Sequence, residues 1–84
     1  MMAQAGTFES GDCLIKVAES EQLDIHIESV VKAQFGDQIH AVIKQVLNEH
    51  DIQHINITCH DKGALDYTIK ARTLTALRRG GYLE

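Results

Sequence analysis

Apolar residues along this chain first recur every second position and then every third or fourth. Cys13, Ile15 and Val17 alternate with Asp12, Leu14 and Lys16; Leu23, Ile25 and Ile27 alternate with Asp24, His26 and Glu28. A period of two marks a strand with one buried face. The polar stretch Ala18 to Gln22 between the two runs has hairpin-loop length, so an antiparallel hairpin is expected. The spacing then lengthens. Val31, Phe35, Ile39, Val42 or Ile43, and Val46 or Leu47 trace one face of an amphipathic helix. Ser29 is a candidate N-cap. Gly36 weakens a helix interior by about 1 kcal/mol, and Asp37 after it is a good N-cap. The pattern therefore predicts a short turn over 30–36 and a main helix over 38–49, ended by Asn48-Glu49-His50-Asp51.

Alternation returns in Ile55, Ile57 and Cys59, set against His54, Asn56, Thr58 and His60, and predicts a third strand. Asp61-Lys62-Gly63 is turn chemistry. The segment Ala64 to Arg79 reads two ways. Leu65, Ile69, Thr73 and Ala76 or Leu77 share a helical face, with acids early (Asp61, Asp66), bases late (Lys70, Arg72, Arg78, Arg79) and Gly80-Gly81 as a stop. That charge order suits the helix dipole. A strand over Leu65–Ala71 competes, because Tyr67, Ile69 and Ala71 also alternate. With the helix preferred, the order is β-β-α-β-α. It implies a small α+β two-layer sandwich, an antiparallel or mixed sheet with helices on one face. Met1 to Glu9 is polar and small and is expected to be a mobile lead-in to a single domain over 1–84.

Composition narrows the function classes. Eighty-four residues make one domain, with little room to enclose a pocket of roughly 300–1,000 Å³ of the kind that swallows a substrate. Twelve acids against eight Lys and Arg give −4, which disfavours binding to a nucleic-acid backbone. Leu, Ile, Val and Phe total 23 residues, enough for a core, which must be aliphatic because aromatics are only 5%. Cys13 and Cys59 are too few for a disulfide scaffold and read as buried thiols in a reducing cytoplasm. No run nears the ~20 apolar residues of a membrane span. Met1 to Glu9 has neither a basic start nor an apolar stretch, so no signal peptide is expected.

Candidate chemistry is sparse. Five histidines (26, 40, 50, 54 and 60) invite a metal, and His50 and His54 have the spacing of two ligands on one helix face. The helix ends near residue 50, however, and no third ligand completes the set, so surface histidines and no metal are expected. Asp61 with Asp66, or Glu9 with Asp12, read as turn and cap carboxylates rather than acid–base pairs. No phosphate-binding glycine loop occurs, and no catalytic residue is assigned. One stretch stands apart: Gly6-Thr7-Phe8-Glu9-Ser10-Gly11-Asp12. Gly11 leaves room around the Ser10 hydroxyl for another protein's active site, and Glu9 and Asp12 make the patch acidic, suited to a basic partner. Taken alone it is also a plain Ser-Gly turn opening a strand.

The stretch from Gly6 to Asp12 resembles the opening segment of the acyl carrier protein (gamma) subunit family of citrate lyase. Val30-Val31-Lys32-Ala33-Gln34-Phe35-Gly36-Asp37 is similar to that family's SVKxQFGD segment. Asp61-Lys62-Gly63-Ala64-Leu65-Asp66 with Ile69-Lys70-Ala71-Arg72 is similar to its DKGALDC-x-(L/I)-(R/K)-A-R segment. The three matches come in family order and cover nearly the whole chain. The resemblance implies a non-catalytic carrier subunit. Its serine would hold phosphoribosyl-dephospho-coenzyme A through a phosphodiester, placing the anchor on Ser10, flanked by Glu9, Gly11 and Asp12. It also implies an alpha subunit that exchanges acetyl for citrate, a beta subunit that cleaves the citryl group, and a cofactor-transfer enzyme as partners. Departures from the pattern are Tyr67 for a common Cys, Cys13 for an aliphatic and Phe8 for a frequent Leu, all read as core variations. The chain ends at Glu84, where relatives usually continue, and looser partner contacts are expected from that. Rival readings are the carrier of malonate decarboxylase, which uses the same type of cofactor, and an interaction domain with no attached group.

Overall fold

A computed structural model describes residues 2–84. The elements are β1 (Ala3–Gly6), β2 (Cys13–Glu19), β3 (Leu23–Ser29), α1 (Lys32–Glu49), β4 (Ile55–Asp61) and α2 (Asp66–Arg79). The strands form a mixed sheet in the order β1-β2-β4-β3. The β1–β2 and β2–β4 pairs are antiparallel and the β3–β4 pair is parallel. Register lines the apolar positions up in rows across the sheet. Ala5 lies opposite Ile15, Ile15 opposite Cys59, and Cys59 opposite Ile27; a second row runs Ala3, Val17, Ile57, Ile25. Both helices cover these rows and contribute Ile39, Ile43, Val46 and Leu47 from α1 and Ile69, Ala76 and Leu77 from α2. The expected α+β sandwich is present.

Four expectations need correction. Ala3–Gly6 is an edge strand paired with β2, not part of a mobile lead-in over 1–9, and Met1 lies outside the described residues. Ala-Gln-Ala-Gly carries almost no strand propensity; the pairing partner supplies the strand. The β2–β3 hairpin does not form, because β4 lies between its two strands. A parallel β3–β4 pair needs a long crossover, which the 18 residues of α1 supply. The helix is not split at Gly36. Its buried residues Ile39, Ile43, Val46 and Leu47 each bring roughly 1.5–3 kcal/mol of burial, which outweighs the cost of one glycine. Ser29 is not the N-cap; Val31 is. The Ser29 hydroxyl accepts the Val31 N–H at 3.1 Å and donates to Asp61 Oδ2 at 2.7 Å, so it ties the end of β3 to the end of β4.

Over 66–79 the helical reading holds, with Asp66 in the first turn and Arg78 and Arg79 in the last. The Tyr82 N–H bonds the Leu77 carbonyl at 2.8 Å and the Gly81 N–H bonds that of Arg78 at 3.1 Å, with Gly81 at φ +83°. This is a Schellman stop, which needs a left-handed residue there. Cys13 and Cys59 are free and buried on diagonal positions of β2 and β4. The neighbouring Cys13 thiol, and then burial, push the Cys59 thiol up and keep it protonated.

Candidate functional site

The loop between β1 and β2 holds the Ser10 turn. Asp12 N–H bonds the Glu9 carbonyl at 3.0 Å, closing a four-residue turn with Ser10 second and Gly11 third. Gly11 has φ +82°, the left-handed value that the third position of a type II turn requires. A side chain there would meet no atom within 4 Å, so backbone conformation, not space, asks for glycine. Gly6, at the exit of β1, is glycine for both reasons: its φ is +104° and a Cβ would stand 1.8 Å from the Cys13 carbonyl oxygen.

The turn is braced from three sides. Within the loop, the Thr7 hydroxyl accepts the Glu9 N–H at 3.1 Å and donates to Asp12 Oδ2 at 2.7 Å. Across the sheet end, the Gly11 N–H bonds the Lys62 carbonyl at 2.8 Å, and the Lys62 N–H bonds the Asp12 carbonyl at 2.9 Å. From α2, Arg72 grips Asp12 with a fork, Nε to Oδ1 at 3.0 Å and Nη2 to Oδ2 at 2.8 Å. Arg72, with Thr7 and the Cys13 N–H helping against some desolvation, holds the Asp12 carboxyl at about 2, below its ordinary 3.8. Asp12 raises the Arg72 guanidinium in turn.

Sequence reasoning gave Ser10 two acidic neighbours facing a partner. The structure separates them. Glu9 is exposed, whereas Asp12 spends its charge on Arg72 and holds the loop. Ser10 is exposed, and its hydroxyl makes no hydrogen bond with the described residues. Thr7 and Arg72 were not singled out as site residues. A signal for Arg72 existed, since it sits three residues after Ile69 and next to Thr73 on the sheet-facing side of α2.

The three segments that carry the family resemblance meet at this end of the molecule. Asp61, only 2% exposed, accepts the Ser29 hydroxyl, the Gly63 N–H at 3.1 Å and the Ala64 N–H at 2.9 Å, which shapes the loop between β4 and α2. Beside that loop lies an open groove of about 580 Å³ lined by Val31 at the N-cap of α1, Phe35 and Ile39 of α1, Leu65, and Tyr67 of α2. It lies open to solvent, so it is a surface groove and not the enclosed pocket that so short a chain has little room for. Its polar lining is already engaged, Asp61 as described and Asp66 by the Gln38 amide at 2.9 and 3.0 Å. Asp61 and Asp66 therefore make separate structural contacts and do not form an acid–base pair. Tyr67 and Phe8 are not core residues: they are 72% and 58% exposed, while Cys13 is fully buried. Phe8 instead packs edge-on against His60, which pairs with Glu28 at 2.7 Å. His54 bonds the Glu21 carbonyl and His50 ends α1. Among the described residues no group of three His, Cys, Asp or Glu is arranged to hold a metal.

Comparison with known proteins places this geometry. Residues 1–80 match the family model described as "Malonate decarboxylase delta subunit (MdcD)". The chain is 46% identical over 77 residues to the citrate lyase acyl carrier protein of Treponema denticola, covering 92% of this chain and 88% of that one. It is 49% identical over 79 residues to the protein of the same name from Albidiferax ferrireducens, with 92% and 81% covered. A further relative of that name, from Latilactobacillus sakei, is 45% identical over 80 residues, with 94% and 79% covered. Among solved structures, a chain of a Pseudomonas malonate decarboxylase hetero-tetramer in complex with malonate superposes with a TM-score of 0.79. At 17% identity, over 93% of this chain and 81% of that one, it shares the fold.

Proposed function

This chain belongs to the citrate lyase acyl carrier protein family, and we propose that it is the acyl carrier subunit of such a lyase, anchored to its prosthetic group through Ser10. The observation that carries the assignment of the anchor is the Ser10 turn: an exposed, unbonded hydroxyl beside a glycine, on a loop fixed to β4 and α2. Phosphoribosyl-dephospho-coenzyme A, joined to Ser10 Oγ, would supply the thiol that carries the acyl group. The residues fit such an attachment. Gly11 leaves one side of the hydroxyl open, and the turn presents Ser10 away from the core.

The chain's own part is to hold that hydroxyl at a defined place. Asp12, the nearest bonded carboxylate, is committed to Arg72 and is no base for Ser10. We assign removal of the Ser10 proton during attachment to the transfer enzyme. Exchange of acetyl for citrate and cleavage of the citryl group fall to alpha and beta partner subunits, and the carrier itself is non-catalytic. Tethering raises the acyl group's effective concentration at each partner site to the millimolar range. Two buried free thiols accord with a cytoplasmic setting, and no helix among the described residues is long and apolar enough to cross a membrane.

Intact mass spectrometry tests the reading. Co-expressed with the cofactor-transfer enzyme, the chain gains the mass of one prosthetic group, localised to Ser10, and Ser10→Ala gains none. Equal mass gain in the alanine variant sinks the assignment. The family-model description and the shared fold keep a second reading in view, the carrier of malonate decarboxylase. Assay of the loaded chain for citryl or malonyl transfer separates the two, with citryl transfer expected.

A further inference from the structure

The groove beside the Ser10 turn has a use of its own. Phe35, Leu65 and Tyr67 are 47%, 59% and 72% exposed, an apolar patch of the kind that marks a binding surface on a soluble domain. Its volume, about 580 Å³, lies within the range of small-molecule sites. The groove is continuous with the anchor. Gly11 and Asp12 are bonded to Lys62, and the residues that follow Lys62, from Gly63 to Leu65, form one wall.

Resting on the assignment of Ser10 as anchor, we infer that this groove receives the far, uncharged end of the group attached there, shielding it between visits to partners. Charge fixes the orientation. No Lys or Arg lines the groove, whereas Asp61 and Asp66 do, so phosphates are disfavoured inside it. Lys62 is exposed, and its backbone is bonded to Gly11 and Asp12 beside Ser10, so a cation lies at the anchor end and none inside the groove. Inside, apolar side chains suit a chain of methylenes, and the Gln38 amide nitrogen is already held by Asp66. Tethering makes weak contact sufficient, because a millimolar effective concentration half-fills a site of millimolar affinity. A free ligand or a separate protein would need far tighter binding to occupy the same surface.

The test compares amide spectra of the full chain, labelled with nitrogen-15, before and after loading by the transfer enzyme, with the adduct on Ser10 verified by mass. Loading is expected to shift the amides of Phe35, Gln38, Leu65 and Tyr67. It should also give nuclear Overhauser contacts between methylenes of the attached group and the Phe35 and Tyr67 rings. In Phe35→Ser and Tyr67→Ser, both at exposed positions and so compatible with folding, the adduct mass is unchanged and these contacts are lost. Shifts confined to residues 7–13 and 61–63 in a chain that carries the adduct overturn the inference and leave the anchor standing. Concentration-dependent shifts of the groove in the unloaded chain also overturn it, in favour of a second copy as occupant. Absence of any adduct on Ser10 refutes the anchor itself, and this inference with it.

Discussion

Acid should loosen the Ser10 loop, and Asp12 is the residue that reports it. Its folded-state value of about 2 lies below the ordinary 3.8. At about 1.4 kcal/mol per pKa unit the difference sets a ceiling of about 2.5 kcal/mol. Arg72, the main cause, is 39% exposed at its side chain, so solvent screens the pair and about 1 kcal/mol is the realistic share. The sign follows from linkage. A depressed carboxyl binds protons less readily when folded, so its contribution is complete above pH 4 and disappears as pH falls from about 4 to about 2. Asp12→Asn places an amide where Thr7, the Cys13 N–H and Arg72 all donate. At pH 7 it should cost about 1–2 kcal/mol. For a domain of this size that is a drop of about 1 M in the urea midpoint. Urea unfolding at pH 7, 5, 3.5 and 2.5 should show the variant close to the native chain at the lowest pH and clearly below it at neutrality. Parallel stability curves for the two chains across that range would refute the role given to Asp12. Arg72→Gln should reproduce most of the loss, and the double variant should cost less than the sum.

Two smaller predictions concern the body of the fold. Gly36→Ala should stabilise by about 0.5–1 kcal/mol, raising Tm by a few degrees, because its Cβ meets only the flexible Lys32 side chain, at 3.1 Å; a lower Tm would mean that the helix is strained there. Tyr82→Phe should be neutral or stabilising by up to about 1 kcal/mol. The Tyr82 hydroxyl is buried with no hydrogen-bond partner among the described residues, and burial, with Glu19 nearby, raises its pKa. A clear loss of stability in urea would reveal a partner for it.

The sequence carried the apolar rows well, because a period of two and a period near 3.6 are direct consequences of backbone geometry. Ile55, Ile57 and Cys59 face the core as their alternation required, and α2 buries Ile69, Thr73 and Leu77 on one stripe. Strand order was not legible. Alternation says which side of a strand is buried and nothing about which strand lies beside it, so β4 entered unseen between β2 and β3. β1 escaped for a related reason: Ala-Gln-Ala-Gly has no strand preference until β2 offers it hydrogen bonds. Phe8 and Tyr67 were misplaced in the core because an aromatic residue is permitted on a surface and only its neighbours decide. Val31 and Phe35 continue the stripe of α1 beyond the sheet, so one periodic pattern serves both the core and the groove.

The site was legible only in part, and the illegible part explains how it works. Ser10 and its neighbours could be found in the sequence through the resemblance. The brace could not, because it joins residues far apart in the chain: Asp12 and Arg72 are separated by 60 positions, and Gly11 reaches β4's end rather than its own hairpin. Those bonds fix the anchor point relative to the sheet and α2, so the backbone that carries Ser10 has little freedom of its own. A carrier that must reach more than one partner site then has to take its reach from the attached group, while the protein supplies a rigid base. That division makes a distinct claim about Asp12. Loosening the turn should slow attachment at Ser10 and leave the groove's affinity for an already attached group unchanged. Substitutions in the groove should do the reverse.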